Sequence, residues 1–158
     1  MNLIAWSQNM TSEAAKAAGA ILVSKDQLFE RADILTIHLV LSSRTRALVG
    51  AAELERMKPT AWLINASRGP IVEEQALISV LKNKQIAGAA IDVFDIEPLP
   101  PSHPFRTLDN VLATPHIGYV SNGLYRTFYE DTVSNIRKWL DTKREEEDVD
   151  HRSCERAH

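Results

Sequence analysis

The 158-residue sequence is poor in cysteine, in net basic charge and in long apolar runs. Its single cysteine, Cys154, stands near the C-terminus. That excludes an internal disulfide and any zinc site built from clustered cysteines, and makes a reducing, cytoplasmic compartment the expectation. The longest apolar stretch, Ile34 to Leu41, is interrupted by His38 and falls far short of the roughly 20 residues that span a bilayer. No basic, apolar leader precedes the first strand-like segment, so neither secretion nor a membrane partner is expected. Lys and Arg number 18 against 21 Asp and Glu, a formal net charge of -3. Residues 141–158 hold seven acids and four Lys/Arg, which is the whole imbalance. The rest of the chain is neutral and lacks a basic stripe, which argues against a nucleic-acid partner.

What is present suits one globular domain. Hydrophobic residues make up 44% and charged residues 25%, and the length allows a sizeable core. The final stretch, DTKREEEDVDHRSCERAH, has no aromatic residue and little to bury. The expected organisation is therefore a domain over residues 1–140 and a charged, mobile tail over 141–158.

Short apolar runs alternate with helical patterns. Strands are expected at Asn2–Trp6, Ala20–Val23, Ile34–Leu39, Ala61–Asn65, Ile86–Asp92 and Val111–Ala113. Helices are expected at Ser12–Ala18 with Gly19 closing it, after Ser24 with Gln27 completing a capping box, at Ala51–Met57, and at Glu73–Lys82. A last helix over Ser121–Leu140 carries Tyr125, Phe128, Tyr129, Val133 and Ile136 at helical spacing. Strands without polar alternation, separated by helices, imply a parallel sheet buried on both faces. Right-handed crossovers then make it a doubly wound, Rossmann-like α/β sheet. Ligands of such sheets sit beyond the carboxyl ends of the strands.

Three polar side chains leave three consecutive strands at that edge: Arg68, Glu97 and His116. Singly, each has an ordinary explanation: a solvated loop arginine, a glutamate on a rigid surface turn, a histidine bonding a backbone carbonyl. Together they fit the reduction of a 2-oxo acid. Hydride transfer creates negative charge on the carbonyl oxygen; His116 can supply the proton, Glu97 can orient the ring and favour its charge, and Arg68 can grip the substrate carboxylate with a planar fork. Asp92, ending its strand, could hold the carboxamide of a nicotinamide ring.

The runs WLINASRGPIVEEQAL, GAAIDVFDIEPLP and NVLATPHIG resemble the signatures of the D-isomer-specific 2-hydroxyacid dehydrogenases, a family with phosphoglycerate, formate, glycerate and glyoxylate-type members. The resemblance implies that Arg68, Glu97 and His116 are the catalytic set, with spacings of 29 and 19 positions. It places Asp92 at the nicotinamide and, through the similar segment ADILTIHLVLSSRTRALVG, Val40 and Thr45 near the adenosine and ribose. Val40 stands where a proline is usual. Ser7, the Ala66–Ser67–Arg68 turn, His116 and Gly118 complete the implied cofactor contacts, and no metal is implied. NAD is the implied cofactor, with NADP open, because Trp6 is followed by Ser7-Gln8-Asn9 and neither an acid nor a nearby arginine marks the choice. The substrate would be a 2-hydroxy or 2-oxo acid, and full-length relatives would be homodimers.

The family's cofactor domain opens with a strand and G-x-G-x-x-G, whose glycines let pyrophosphate approach a helix N-terminus. This sequence contains no G-x-G, and Met1 falls on what resembles the second strand. The expectation is an incomplete copy, lacking the first strand and glycine loop and inactive alone. In the order 3-2-1-4-5-6 the absent strand is central, so the Asn2–Trp6 and Ile34–Leu39 strands should each lack a neighbour. A second reading, from a different class, is a non-catalytic, dinucleotide-sensing binding protein of the corepressor type.

Overall fold

The computed structural model describes the backbone of residues 1–155 and the side chains of residues 1–144. The chain forms two compact units, Met1–Gly118 and a second beginning at Tyr119. The first contains β1 (Ile4–Ala5), α1 (Ser12–Ala17), β2 (Ile21–Leu22), α2 (Lys25–Arg31), β3 (Ile34–Ile37), α3 (Ala51–Leu54), β4 (Trp62–Asn65), α4 (Glu74–Lys82), β5 (Gly88–Ile91) and β6 (Val111–Ala113). All strand pairs are parallel.

The Gly19 turn and the Ser24–Gln27 box are where the sequence puts them, and Thr11 adds a cap to α1. The Thr11 hydroxyl accepts the Ala14 N–H at 3.2 Å, and Gly19 follows α1 with φ +72°, a left-handed turn that glycine adopts without cost. Ser24 and Gln27 form the reciprocal capping box of α2, at 3.1 and 3.2 Å.

Pairing follows two separate ladders, β1-β2 and β3-β4-β5-β6. Among the described residues β1 pairs only with β2, and β3 only with β4. Each of these two strands thus stands at an edge of its ladder, and among the described residues the two ladders do not pair with each other.

Burial on both faces is the expectation that needs correction. Leu35, Ile37, Leu63, Ala89 and Ile91 share one core with Phe29 of α2, Leu54 of α3 and Leu77 and Leu81 of α4. Each such Leu, Ile or Phe side chain contributes roughly 1.5–3 kcal/mol by leaving water. The alternate residues Ile34, Trp62 and Leu112 are 62%, 42% and 63% exposed. The cause is topological. From β3 to β6 the chain always steps in one direction across the sheet, so right-handed crossovers put every connecting helix on the same face. On the other face the Trp62 ring lies over Gly88, where an added Cβ would come within 2.5 Å of it.

The second unit is dominated by α5 (Asn122–Glu155), 34 residues long. The division after Gly118 places this helix in the second unit. It does not stop at Leu140, because Lys, Arg and Glu in the following segment are themselves good helix formers. The remainder of the expectation for the tail lies outside the described residues. Within this unit the Tyr125 and Tyr129 rings lie 5.3 Å apart. Among the described residues no helix is long and apolar enough to cross a membrane.

Candidate active site

The parallel ladder sends the segments after β4, β5 and β6 off one edge. Each is held there by a polar residue at or just beyond its strand end. At the end of β4, Asn65 is 2% exposed; its Oδ1 accepts the Ser67 N–H at 3.1 Å and its Nδ2 donates to the Arg68 carbonyl at 3.0 Å. This closes the turn that presents Arg68. The Ser67 hydroxyl donates to the carbonyl of Leu39, which joins the turn to the chain leaving β3. Arg68 is exposed, with Nη1 donating to the Ser67 carbonyl at 2.6 Å.

After β5, Asp92 is 8% exposed. Its Oδ1 accepts from the Thr114 hydroxyl at 2.5 Å and the Ile117 N–H at 2.9 Å, and its Oδ2 from the Gly118 N–H at 2.8 Å. Burial works to raise its pKa, but these bonds and the nearby His116 outweigh it, and the carboxyl sits below the usual aspartate range. Asp92 therefore fixes the loop after β6. In that loop His116 has φ +55°, a left-handed conformation uncommon for a residue with a side chain.

The His116 ring meets Glu97. Nδ1 lies 2.8 Å from Glu97 Oε2, and Glu97 Oε1 accepts the Phe94 N–H at 2.9 Å. The His116 bond first, then the Phe94 bond, hold the Glu97 carboxyl below its ordinary value against the cost of burial, and the charges of His116 and Arg68 add to the effect. Both ring and carboxylate remain 37% exposed, open to a substrate.

The Arg68 turn and the Glu97 loop touch through Gly69. A Cβ there would lie 2.2 Å from the Phe94 carbonyl carbon and 2.7 Å from the Asp95 nitrogen. Only a residue without a side chain permits this approach. The structure thus brings Arg68, Glu97, His116, Asp92 and Gly118 to one edge. Val40 and Thr45 leave the same edge after β3, where the Thr45 hydroxyl donates to the Val40 carbonyl and accepts the Ser42 N–H, both at 2.8 Å. Ala66 is exposed in the turn after β4. Ser7 belongs to the turn after β1, its carbonyl accepting the Met10 N–H at 3.1 Å; no contact described here joins it to the other candidates.

Asn65, Gly69 and Thr114 escaped the sequence reading as site residues. Asn65 had a signal, a polar residue ending an otherwise apolar strand. Thr114 and Gly69 had none short of the three-dimensional contact.

The profile of the D-isomer specific 2-hydroxyacid dehydrogenase NAD-binding domain matches residues 1–118, the extent of the first unit. The chain belongs to this family. It is 51% identical over 92 residues to a glyoxylate reductase of Thermofilum pendens, covering 58% of this chain and 27% of that protein. To a D-3-phosphoglycerate dehydrogenase of Synechocystis it is 44% identical over 140 residues, 89% of this chain and 25% of that one. The crystal structure of a phosphoglycerate oxidoreductase from Vibrio cholerae superposes with a TM-score of 0.83 at 34% identity, covering 90% of this chain and 46% of that one. The chain thus spans about a quarter of the length of the first two relatives.

Proposed function

We propose that this chain supplies the cofactor side and the acid–base group of an NAD(P)-dependent D-2-hydroxyacid dehydrogenase, interconverting a 2-hydroxy acid and its 2-oxo partner. The observation that carries the reading is the His116–Glu97 pair, 2.8 Å apart, at the strand edge where Arg68 also emerges.

A bound nicotinamide dinucleotide supplies the hydride. Asp92 suits its carboxamide: of the roughly four lone-pair sites on a carboxylate, three are taken by Thr114, Ile117 and Gly118. The exposed Val40 and the Thr45 loop suit the adenosine side, and Ser7 the ribose. NAD is the first choice, and the Ser7-Gln8-Asn9 sequence leaves NADP open.

The residues of the chain then divide the work. Arg68 binds the substrate carboxylate with the guanidinium N–H groups beyond the one given to Ser67, which places the adjacent carbonyl. Glu97 fixes the imidazole through Nδ1, so that Nε2 is the atom that meets the carbonyl oxygen. As negative charge develops there, Nε2 gives up its proton; in the oxidative direction the same nitrogen takes the hydroxyl proton. The ionised Glu97 stabilises the positive ring before transfer.

The test replaces the 140 matching residues of the Synechocystis dehydrogenase with this chain's own. The chimera is assayed with NADH, NADPH and a panel of 2-oxo acids. Turnover of at least one acid is expected. Dinucleotide binding without turnover of any would instead favour a sensing role.

A further inference from the structure

We propose that Glu74, in the first turn of α4, is a positioning residue that sets the Glu97 carboxylate against His116. Glu74 touches neither Glu97 nor His116 in the described contacts. It acts on the loop that carries Glu97, holding it on both sides of that residue. Its Oε2 accepts the Asp95 N–H at 3.5 Å, and its Oε1 lies 3.1 Å from His103 Nε2.

The second carboxylate–histidine pair differs from the first in burial. The side chains of His103 and Glu74 are 12% and 18% exposed, against 37% for both partners at the candidate site. His103 Nδ1 accepts the Phe105 N–H at 3.2 Å, so Nε2 bears the proton and donates to Glu74. The His103 ring lies 4.9 Å from that of Phe105, which in turn lies 6.3 Å from the ring of Phe94. Phe94 is the residue whose N–H holds Glu97 Oε1. From the other side, Gly69 presses on the Phe94–Asp95 peptide. The segment bearing Glu97 is therefore clamped between the Arg68 turn and the first turn of α4.

Electrostatics alone would not keep an acid at position 74. Burial pushes the Asp95 carboxyl up, and the charge of Glu74 pushes it further, with the Arg46 charge only partly offsetting them. A glutamate that repels its neighbour but receives two hydrogen bonds is placed to hold a loop, not to balance charge.

The catalytic consequence rests on the dehydrogenase reading; the positioning does not. The test is a carbon-13 NMR titration of the Glu97 side-chain carboxyl in the 158-residue chain, assigned with Glu97→Gln. Groups facing Glu97 are His116, Arg68 and the Phe94 N–H. In Glu74→Ala the loop is released, and the Glu97 midpoint is expected to rise toward the ordinary glutamate value. In Glu74→Gln, with one acceptor oxygen for two donors, the rise should be smaller. Losing the Glu74 charge without loop release would move the midpoint down, and simple destabilisation of α4 would leave the folded molecules' titration where it is. Either result in a folded variant overturns the proposal, and the glutamine variant decides if the alanine variant does not fold. The readout needs neither cofactor nor turnover. A raised midpoint with an inactive chimera would keep the positioning and remove the dehydrogenase reading.

Discussion

Asp92 holds the backbone on which His116 sits. Its carboxylate takes the N–H groups of the two residues that follow His116, at 2.9 and 2.8 Å, and the Thr114 hydroxyl two positions before it at 2.5 Å. The left-handed turn at His116 is thus secured from both sides, and the ring is left to reach Glu97. One buried acid therefore ties the residues on both sides of His116 to the end of β5.

Asp92→Asn should disturb this loop. The amide nitrogen must point at one of the three donors, and the charge-assisted bonds are lost, a destabilisation of roughly 1.5–3 kcal/mol. Because the folded Asp92 pKa is depressed, its contribution is full above the ordinary aspartate range and fades as pH falls through the folded value. Urea unfolding measured from pH 7 down to pH 3 should show the wild type losing its advantage over the variant. A constant gap would show that Asp92 is not the titrating group.

Gly69→Ala tests the contact between the arginine turn and the glutamate loop. With 2.2 Å to the Phe94 carbonyl carbon, an added methyl forces backbone apart at a typical overpacking cost of about 1–3 kcal/mol. Amide spectra should show Phe94, Glu97 and His116 shifting together. Shifts confined to positions 68–70 would mean that the two loops move independently.

Arg68→Lys, placed in the chimera, should raise KM for the 2-oxo acid and lower kcat, since an ammonium cannot reproduce the bidentate fork. Unchanged kinetics would remove the carboxylate-binding role from Arg68.

Much of this was legible in the sequence because strand ends and polar residues coincide there. Arg68, Glu97 and His116 stand at fixed offsets after apolar runs, and a parallel sheet must bring those offsets to one edge. The Ser24–Gln27 box and the Gly19 turn are local, so a local reading suffices. What could not be read arises from contacts between distant segments. Gly69 looks like any glycine after an arginine until Phe94 lies against it. Ile34, Trp62 and Leu112 look like interior residues, and only the one-way order of β3 to β6 shows that the connecting helices leave their face open. The helix runs past Leu140 because Lys, Arg and Glu there are good helix formers, although their charge gives the segment little to bury.

The chain alone should bind NADH weakly or not at all. Its contacts suit the adenosine and nicotinamide ends, while no G-x-G in this sequence offers backbone N–H groups to the two phosphates. Calorimetric titration of the 158-residue chain measures this directly. A micromolar dissociation constant would mean that the pyrophosphate is held by other residues of this chain.

The most direct measurement is the kinetics of His116→Ala in the chimera, with NADH binding followed in parallel. If His116 is the proton donor that Glu97 orients, turnover of the 2-oxo acid should fall by about 10²–10⁴-fold while the NADH dissociation constant changes little. Turnover within a few-fold of the parent chimera would contradict the assignment.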